Sequence, residues 1–331
     1  MSQSYALLRC PTCRGVDDAG EFQVYPLRRG ETGWTCAGCS AHYPLKDGIP
    51  IVVAEPERIL SQPAPQGDVA QWCRELETTP PEDPAAREAW LLTMYALSHH
   101  SDACPSPFVR ESMRDQGLLT DHLRGWLNTH GPVGGDAIEL GCGVAGHAAL
   151  WREACAGSVT LCDLRPAMLD LGRALNSGAP RTLPWRHMGR HYTPITVAPS
   201  AQPLEDVHYI VGDALNPPFP AEHFGLVTAL NLLDAIRDPW MLLGQLDALT
   251  RPGGLLLLGQ PFHYEAHAQH PDGWFSTPEA LHGALQGGLS GLEHLNYELL
   301  ETAESIPWSL PAHDRLVHRY AMHLVLAKKR G

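Results

Sequence analysis

The chain has 331 residues, with 24 Lys plus Arg against 37 Asp plus Glu and hence a formal charge of −13. That length exceeds one average domain and suits a main domain of about 200 residues with an accessory module. Long-range attraction to a phosphate backbone is excluded at such a charge unless basic groups segregate on one face, which argues against nucleic acid as a partner. No run reaches the ~18 apolar residues of a membrane-spanning helix, so no membrane role is expected. The opening MSQSYALLRCPTC lacks the basic start, apolar stretch and cleavage site of a secretory leader, so the chain reads as cytoplasmic.

Residues 1–54 form the first unit. Cys10-Pro11-Thr12-Cys13 and Cys36-Ala37-Gly38-Cys39 are two C-x-x-C knuckles, each able to turn both sulfurs towards one tetrahedral zinc. A redox pair or a disulfide is the alternative, but cysteines in a chain without a leader are better read as thiols or metal ligands. So small a unit buries little core, which makes the zinc structural and the metal its main source of folding energy. The strand-like Ile49–Val53 closes it. Residues 55–68, EPERILSQPAPQGD, are rich in Pro, Gln and charge and read as a linker.

Residues 69–331 read as one domain with a helical lead-in over 69–130. The spacing of Trp72, Leu76, Trp90, Leu91, Met94, Leu97, Leu118, Leu119, Leu123 and Trp126 predicts amphipathic helices, broken at TTPPEDP and CPSP. From Ala137 short apolar runs alternate with helical segments: AIEL, SVTLCD, PAMLDLGRAL, VHYIVGD, FGLVTALNLL, WMLLGQLDALT and GLLLLGQP. Such alternation predicts an α/β fold, a Rossmann-like doubly wound sheet with covering helices. LNYELLETAE and HRYAMHLVLAKKR read as antiparallel terminal strands separated by a loop of about a dozen residues.

The chemistry concentrates after AIEL. Gly141 and Gly143 open a helix, and glycines allow a tight turn and close backbone approach to a ligand. Asp163 ends the next strand, about 20 residues on, where a carboxylate accepts both hydroxyls of a ribose. Asp213 ends the third strand. Ligands of open α/β sheets bind at these carboxyl edges, so Glu139, Asp163 and Asp213 are expected to face one crevice suited to a cationic nucleoside. A nicotinamide-binding domain shares the turn and the acid, but does not explain the terminal antiparallel strands.

Together E-x-G-C-G, the Asp after strand two, GDAL after strand three and Arg251-Pro252-Gly253-Gly254 resemble class I S-adenosylmethionine methyltransferases, over about residues 85–331. The resemblance implies that Gly141 and Gly143 line the methionine end beside Glu139, that Asp163 holds the ribose, and that Leu164, Asp213 and Ala214 flank the adenine. It places Asn231 beside the methyl group, followed by Leu232 and Asp234. The string Tyr43–Ile51, after the second knuckle, resembles the small zinc-ribbon proteins that activate methyltransferases, here fused to the enzyme. NLLDAIRDPWMLL, the RPGG turn, PFHYEAH and IPW-x4-H-x-R are similar to the methyltransferase domain of ovothiol synthases, which acts on an imidazole nitrogen.

Methyl transfer needs a nucleophile aligned behind the methyl carbon more than it needs a strong acid or base. Asn231, His263 and Tyr264 are the candidates for orienting it, with Tyr192 and His313 as outer ones. The insertion Arg181–Pro203, holding Trp185, His187, His191 and Tyr192, would contact substrate, and His187 with His191 could share a metal if that stretch were helical. Cys142 and Cys162 border the turns as packing residues. The favoured partner is a small-molecule or peptide substrate. An RNA base methyltransferase using Arg9, Arg14, Arg28, Arg29 and Lys46 of the ribbon, and a non-catalytic scaffold, are the alternatives.

Overall fold

The computed structural model describes residues 5, 7–13, 15–16, 22–61, 68–100, 106–199, 203–264 and 274–331. In the cysteine-rich unit, β1 (Gly15–Val16) pairs with β2 (Phe22–Gln23). A second sheet runs in chain order through β3 (Leu27–Arg29), β4 (Gly33–Cys36), β5 (His42–Lys46) and β6 (Ile49–Pro50), all antiparallel. Leu8 and the sheet's buried Leu27, Trp34 and Tyr43 do not close a private core; they join Ile210, Leu215 and Phe219 of the main domain in one cluster.

Beyond β6, α1 (Pro56–Leu60) occupies part of the stretch read as linker, with Ile59 buried, and residues 62–67 of that stretch lie outside the described ones. The lead-in forms α2 (Val69–Thr78), α3 (Pro84–His100), α4 (Pro107–Ser112) and α5 (Leu118–Thr129). Asp68 and Ser106 cap α2 and α4, accepting the amides of Ala70 and Val109. No helix among the described residues is long and apolar enough to cross a membrane.

Then follow β7 (Ala137–Leu140), α6 (Ala148–Ala154), β8 (Val159–Asp163), α7 (Pro166–Asn176), β9 (Arg181–Met188), β10 (His191–Val197), β11 (Val207–Val211) and β12 (Phe224–Leu230). The chain ends with α8 (Pro239–Leu249), β13 (Thr250–Gln260), α9 (Pro278–Leu285), β14 (Tyr297–His313) and β15 (Leu316–Lys329). Seven of these strands make one sheet in the order β11-β8-β7-β12-β13-β15-β14, parallel as far as β13, with β15 and β14 antiparallel. Every residue of β12 is buried, as a strand covered by helices on both faces requires. The order reverses between β7 and β12, and the crevice at that switch point is where such sheets bind ligands. At the far edge the ribbon extends the sheet: Ile51 bridges Val211 in parallel, and the Val52 amide donates to the Val211 carbonyl at 2.8 Å.

Three expectations need correction. No loop of a dozen residues separates the last strands, because β14 and β15 meet at Asp314-Arg315 and residues 307–317 are almost all strand. Pro307 and Pro311 read as loop signals, yet an edge strand tolerates proline, and Trp308 and Leu310 bury the inner face. The insertion at Arg181 is a hairpin, so His187 and His191 share no helix. The RPGG turn lies within β13, where Gly253 at φ 73° accompanies a register shift against β12.

Candidate functional site

Gly141 and Gly143 turn the chain out of β7 at φ 70° and 53°, in the left-handed region that favours glycine. A Cβ on Gly141 would lie 2.7 Å from the Leu232 side chain, so the turn also needs the missing atom for close packing. Asp163 closes the arrangement: one oxygen accepts the Gly143 amide at 2.8 Å and the other the Arg165 amide at 2.9 Å. Burial raises its pKa against those two amides, which favour the charged form. Next to it Leu164 is 44% exposed, an apolar side chain lying open at the crevice. Asp213 lies two residues past β11, whose last residue Val211 pairs with Asp163, and accepts the Leu215 amide at 2.9 Å, with Ala214 following.

Glu139 does not open into the crevice with these acids. It is 3% exposed beneath the turn, where it accepts the Trp151 indole N–H at 2.8 Å, with His147 Nδ1 3.9 Å away. Burial, reinforced by the charge of Asp163, pushes its carboxyl up to about 8 despite the Trp151 bond. His147 is held down at about 4 by burial.

At the end of β12, Asn231 leaves the strand at φ 54°, and its amide donates to the Gly259 carbonyl at 2.7 Å. Its Oδ1 is buried and meets no hydrogen-bond donor among the described residues. Asp234, 4% exposed, accepts the His263 amide at 2.8 Å. Trp308, from the IPW-x4-H-x-R string singled out in the sequence, and three residues that sequence reasoning did not assign to the site complete it. Tyr95 and His99, one turn apart on α3, lie over the glycine turn: a Cβ on Gly146 would fall 2.4 Å from His99, and one on Gly143 3.9 Å from Tyr95. Ring centroids run Tyr95 to Trp308 at 6.2 Å, Trp308 to Tyr320 at 5.3 Å and Tyr320 to His263 at 5.8 Å. The Trp308 indole nitrogen is buried without an acceptor among the described residues. Burial, aided by the charges of Asp163 and Asp234, pushes the Tyr95 hydroxyl up to about 12. An aromatic wall beside the carboxylates of Asp163 and Asp234 suits a flat or cationic group.

Other candidates sit elsewhere. The Tyr264 hydroxyl donates to the Phe275 carbonyl and accepts its amide while the ring stacks on Trp274 at 4.9 Å, so it works as a clamp. Tyr192 packs by Trp72 and donates its amide to Glu77. His313 Nδ1 accepts the Arg315 amide, next to Asp314, which takes Trp185 Nε1 at 2.8 Å and His187 Nδ1 at 2.7 Å and so ties the hairpin to the last turn. PFHYEAH runs past the described residues after Tyr264.

The ribbon brings Cys10, Cys13, Cys36 and Cys39 together, their sulfurs all within 4.8 Å of one another. Cys10 to Cys39 is 3.7 Å and Cys13 to Cys36 is 3.5 Å, close to the ~3.8 Å separating ligands of a tetrahedral ion with 2.3 Å bonds. Gly38 and Cys39 amides point at the Cys36 sulfur, and the Tyr43 hydroxyl lies 3.0 Å from Cys10. Burial raises the Cys10 thiol, but Tyr43 and backbone amides outweigh it and bring it to about 7.

A protein-family profile described as a methyltransferase domain matches residues 138–258, the stretch from β7 to β13 that carries the turn, Asp163 and Asn231. The chain carries a methyltransferase domain. A comparison with the curated proteins finds no match. Among solved structures, the chain is similar to the magnesium protoporphyrin IX methyltransferase of Synechocystis PCC 6803, at 12% identity over 81% of this chain and 99% of that one, TM-score 0.46. The N-methyltransferase NodS of Bradyrhizobium japonicum gives 15% identity over 80% and 100%, TM-score 0.39, and the cyclase SpnF gives 14% over 74% and 94%, TM-score 0.44.

Proposed function

We propose that this methyltransferase takes its methyl group from S-adenosylmethionine and transfers it to a nitrogen of a small molecule or peptide, an imidazole among the candidates. The observation that carries the reading is the grouping of Asp163, the exposed Leu164 and the Gly141–Gly143 turn at the switch point of the sheet. Asp163 would hold the ribose hydroxyls, Leu164 with Asp213 and Ala214 would enclose the adenine, and the glycines would admit the methionine end. The cofactor supplies an electrophilic methyl carbon on a sulfonium.

The chain's own residues then orient the acceptor and keep water out. The unmatched Oδ1 of Asn231 would take an N–H of the acceptor, and the indole of Trp308 would offer it a donor. Tyr95, Trp308 and Tyr320 would shield the reacting atoms, and Asp234 would favour a cationic or protonatable group. The ribbon is read as a structural zinc module of the kind that activates methyltransferases, here covering the β11 edge of its own catalytic domain. The domain organisation we infer is a ribbon over 1–54, a connector over 55–68 and a methyltransferase domain over 69–331, all in a cytoplasmic enzyme.

The test is methyl transfer from S-adenosylmethionine to a panel of imidazoles, amines, peptides and RNA. Turnover on a small nitrogen nucleophile supports the reading; turnover on RNA alone, with affinity falling steeply in salt, would replace it.

A further inference from the structure

On the face of the sheet that carries Leu256, Leu258, Val325 and Ala327, two imidazoles meet nitrogen to nitrogen. His323 of β15 is 2% exposed; its Nδ1 lies 2.7 Å from Glu304 Oε1, and its Nε2 lies 3.1 Å from Nε2 of His282 on α9. Glu304 reaches it because β14 carries an irregularity between Ala303 and Ile306, with Ser305 at φ 59°, and bulges commonly re-aim a side chain in this way. A carboxylate on Nδ1 places the ring proton there and leaves the lone pair on Nε2, aimed at His282.

A second observation points to a ligand. Gln260 is the register partner of His323, so the two side chains stand next to each other on one face. It is 1% exposed, and neither its amide oxygen nor its amide nitrogen has a hydrogen-bond partner among the described residues. Buried side-chain amides are normally satisfied. Phe262 shields the cluster, its ring centroid 5.7 Å from that of His323.

We propose that His282 and His323 bind a divalent first-row transition metal through their Nε2 atoms, with the Gln260 amide oxygen as third donor and Glu304 orienting His323 from behind. Two imidazoles on one ion at about 2.0–2.1 Å have nitrogens roughly 3 Å apart, the separation seen here. A carboxylate on the far nitrogen of a ligating histidine is the usual supporting arrangement, and imidazole with amide oxygen suits zinc, cobalt or nickel. The site uses none of the four thiolates of the ribbon and none of the residues assigned to the methyl-transfer crevice. A metal there would pin α9 to β15.

Full-length protein carrying zinc in the ribbon is titrated with Co2+, followed by metal analysis and by absorption and paramagnetic resonance spectra. The proposal predicts a second metal per chain with an imidazole signature and no intense thiolate charge-transfer band, accompanied by a rise in melting temperature. His282→Ala, a half-buried helix position that Ala suits, removes the second metal and keeps the first. Glu304→Gln keeps the site but weakens it by about 10–100-fold. A single metal per chain at about tenfold excess Co2+ overturns the proposal and leaves a hydrogen-bonded imidazole pair. A second metal retained in His282→Ala overturns it equally, and if that variant fails to fold, unchanged affinity in Glu304→Gln does the same.

Discussion

Replacing Asp163 by Asn keeps the size of the side chain but removes its charge and turns one acceptor into a donor. In the native chain its two oxygens accept the Gly143 and Arg165 amides at 2.8 and 2.9 Å; in Asp163→Asn one of those N–H groups faces an NH2. If the carboxylate also receives two ribose hydroxyls, and bonds to a charged acceptor are worth about 1.5 kcal/mol or more each, the variant loses about 3 kcal/mol of cofactor binding, or roughly 10²-fold. The turn loses its brace as well, so stability should fall by about 1–2 kcal/mol. Calorimetric titration with S-adenosylmethionine reads the first effect and urea unfolding the second. A folded Asp163→Asn protein that binds within twofold of wild type would refute the assignment of the ribose site.

Further outcomes follow from the same geometry. Gly146→Ala places a Cβ 2.4 Å from His99; α3 must move, at an overpacking cost of about 1–3 kcal/mol, and thermal melts should show that loss together with weakened cofactor binding. Glu139, whose carboxyl is pushed up to about 8 by burial, keeps in the folded state a proton that the unfolded chain releases near pH 4.5. Stability from this group is therefore full below that pH and is lost as pH rises through about 8, by up to ~1.4 kcal/mol per unit. Glu139→Gln should flatten that slope in urea melts from pH 5 to 8, and an unchanged slope would contradict the enclosed, protonated carboxyl. Chelating the ribbon metal should unfold residues 1–54 and uncover the β11 edge and the cluster of Leu8, Trp34 and Tyr43; the expected readout is a lower melting temperature and aggregation, and an unaffected melt would contradict a metal-held ribbon.

The parallel strands were legible because each has to be apolar on both faces: Phe224–Leu230 and Leu255–Leu258 admit little else. The hairpin β9–β10 was not, since Pro184 and Pro194 lie opposite each other in its register, and proline pairs read as loop until one sees that this ribbon stands outside the main sheet. The long β14–β15 hairpin was hidden in the same way by Pro307 and Pro311 on an edge strand. In the site, the glycine turn and Asp163 could be read because each lies at the end of a strand and their spacing is local. Tyr95 lies more than two hundred residues from Trp308 and Tyr320 and meets them only because α3 packs on β14. The spacing of Tyr95 and His99 on one face of the helix before the turn was the signal available for them. Tyr192 and His313 were chosen for their chemistry alone, and the fold gives them to the hairpin and its Asp314 anchor.

The crevice between β7 and β12 is proposed as the S-adenosylmethionine site. Calorimetric titration of the zinc-loaded chain with S-adenosylmethionine, and separately with its demethylated product, addresses it directly. One site per chain with micromolar affinity for both ligands is expected; an absence of heat and of any thermal stabilisation by either would contradict a cofactor site in this crevice.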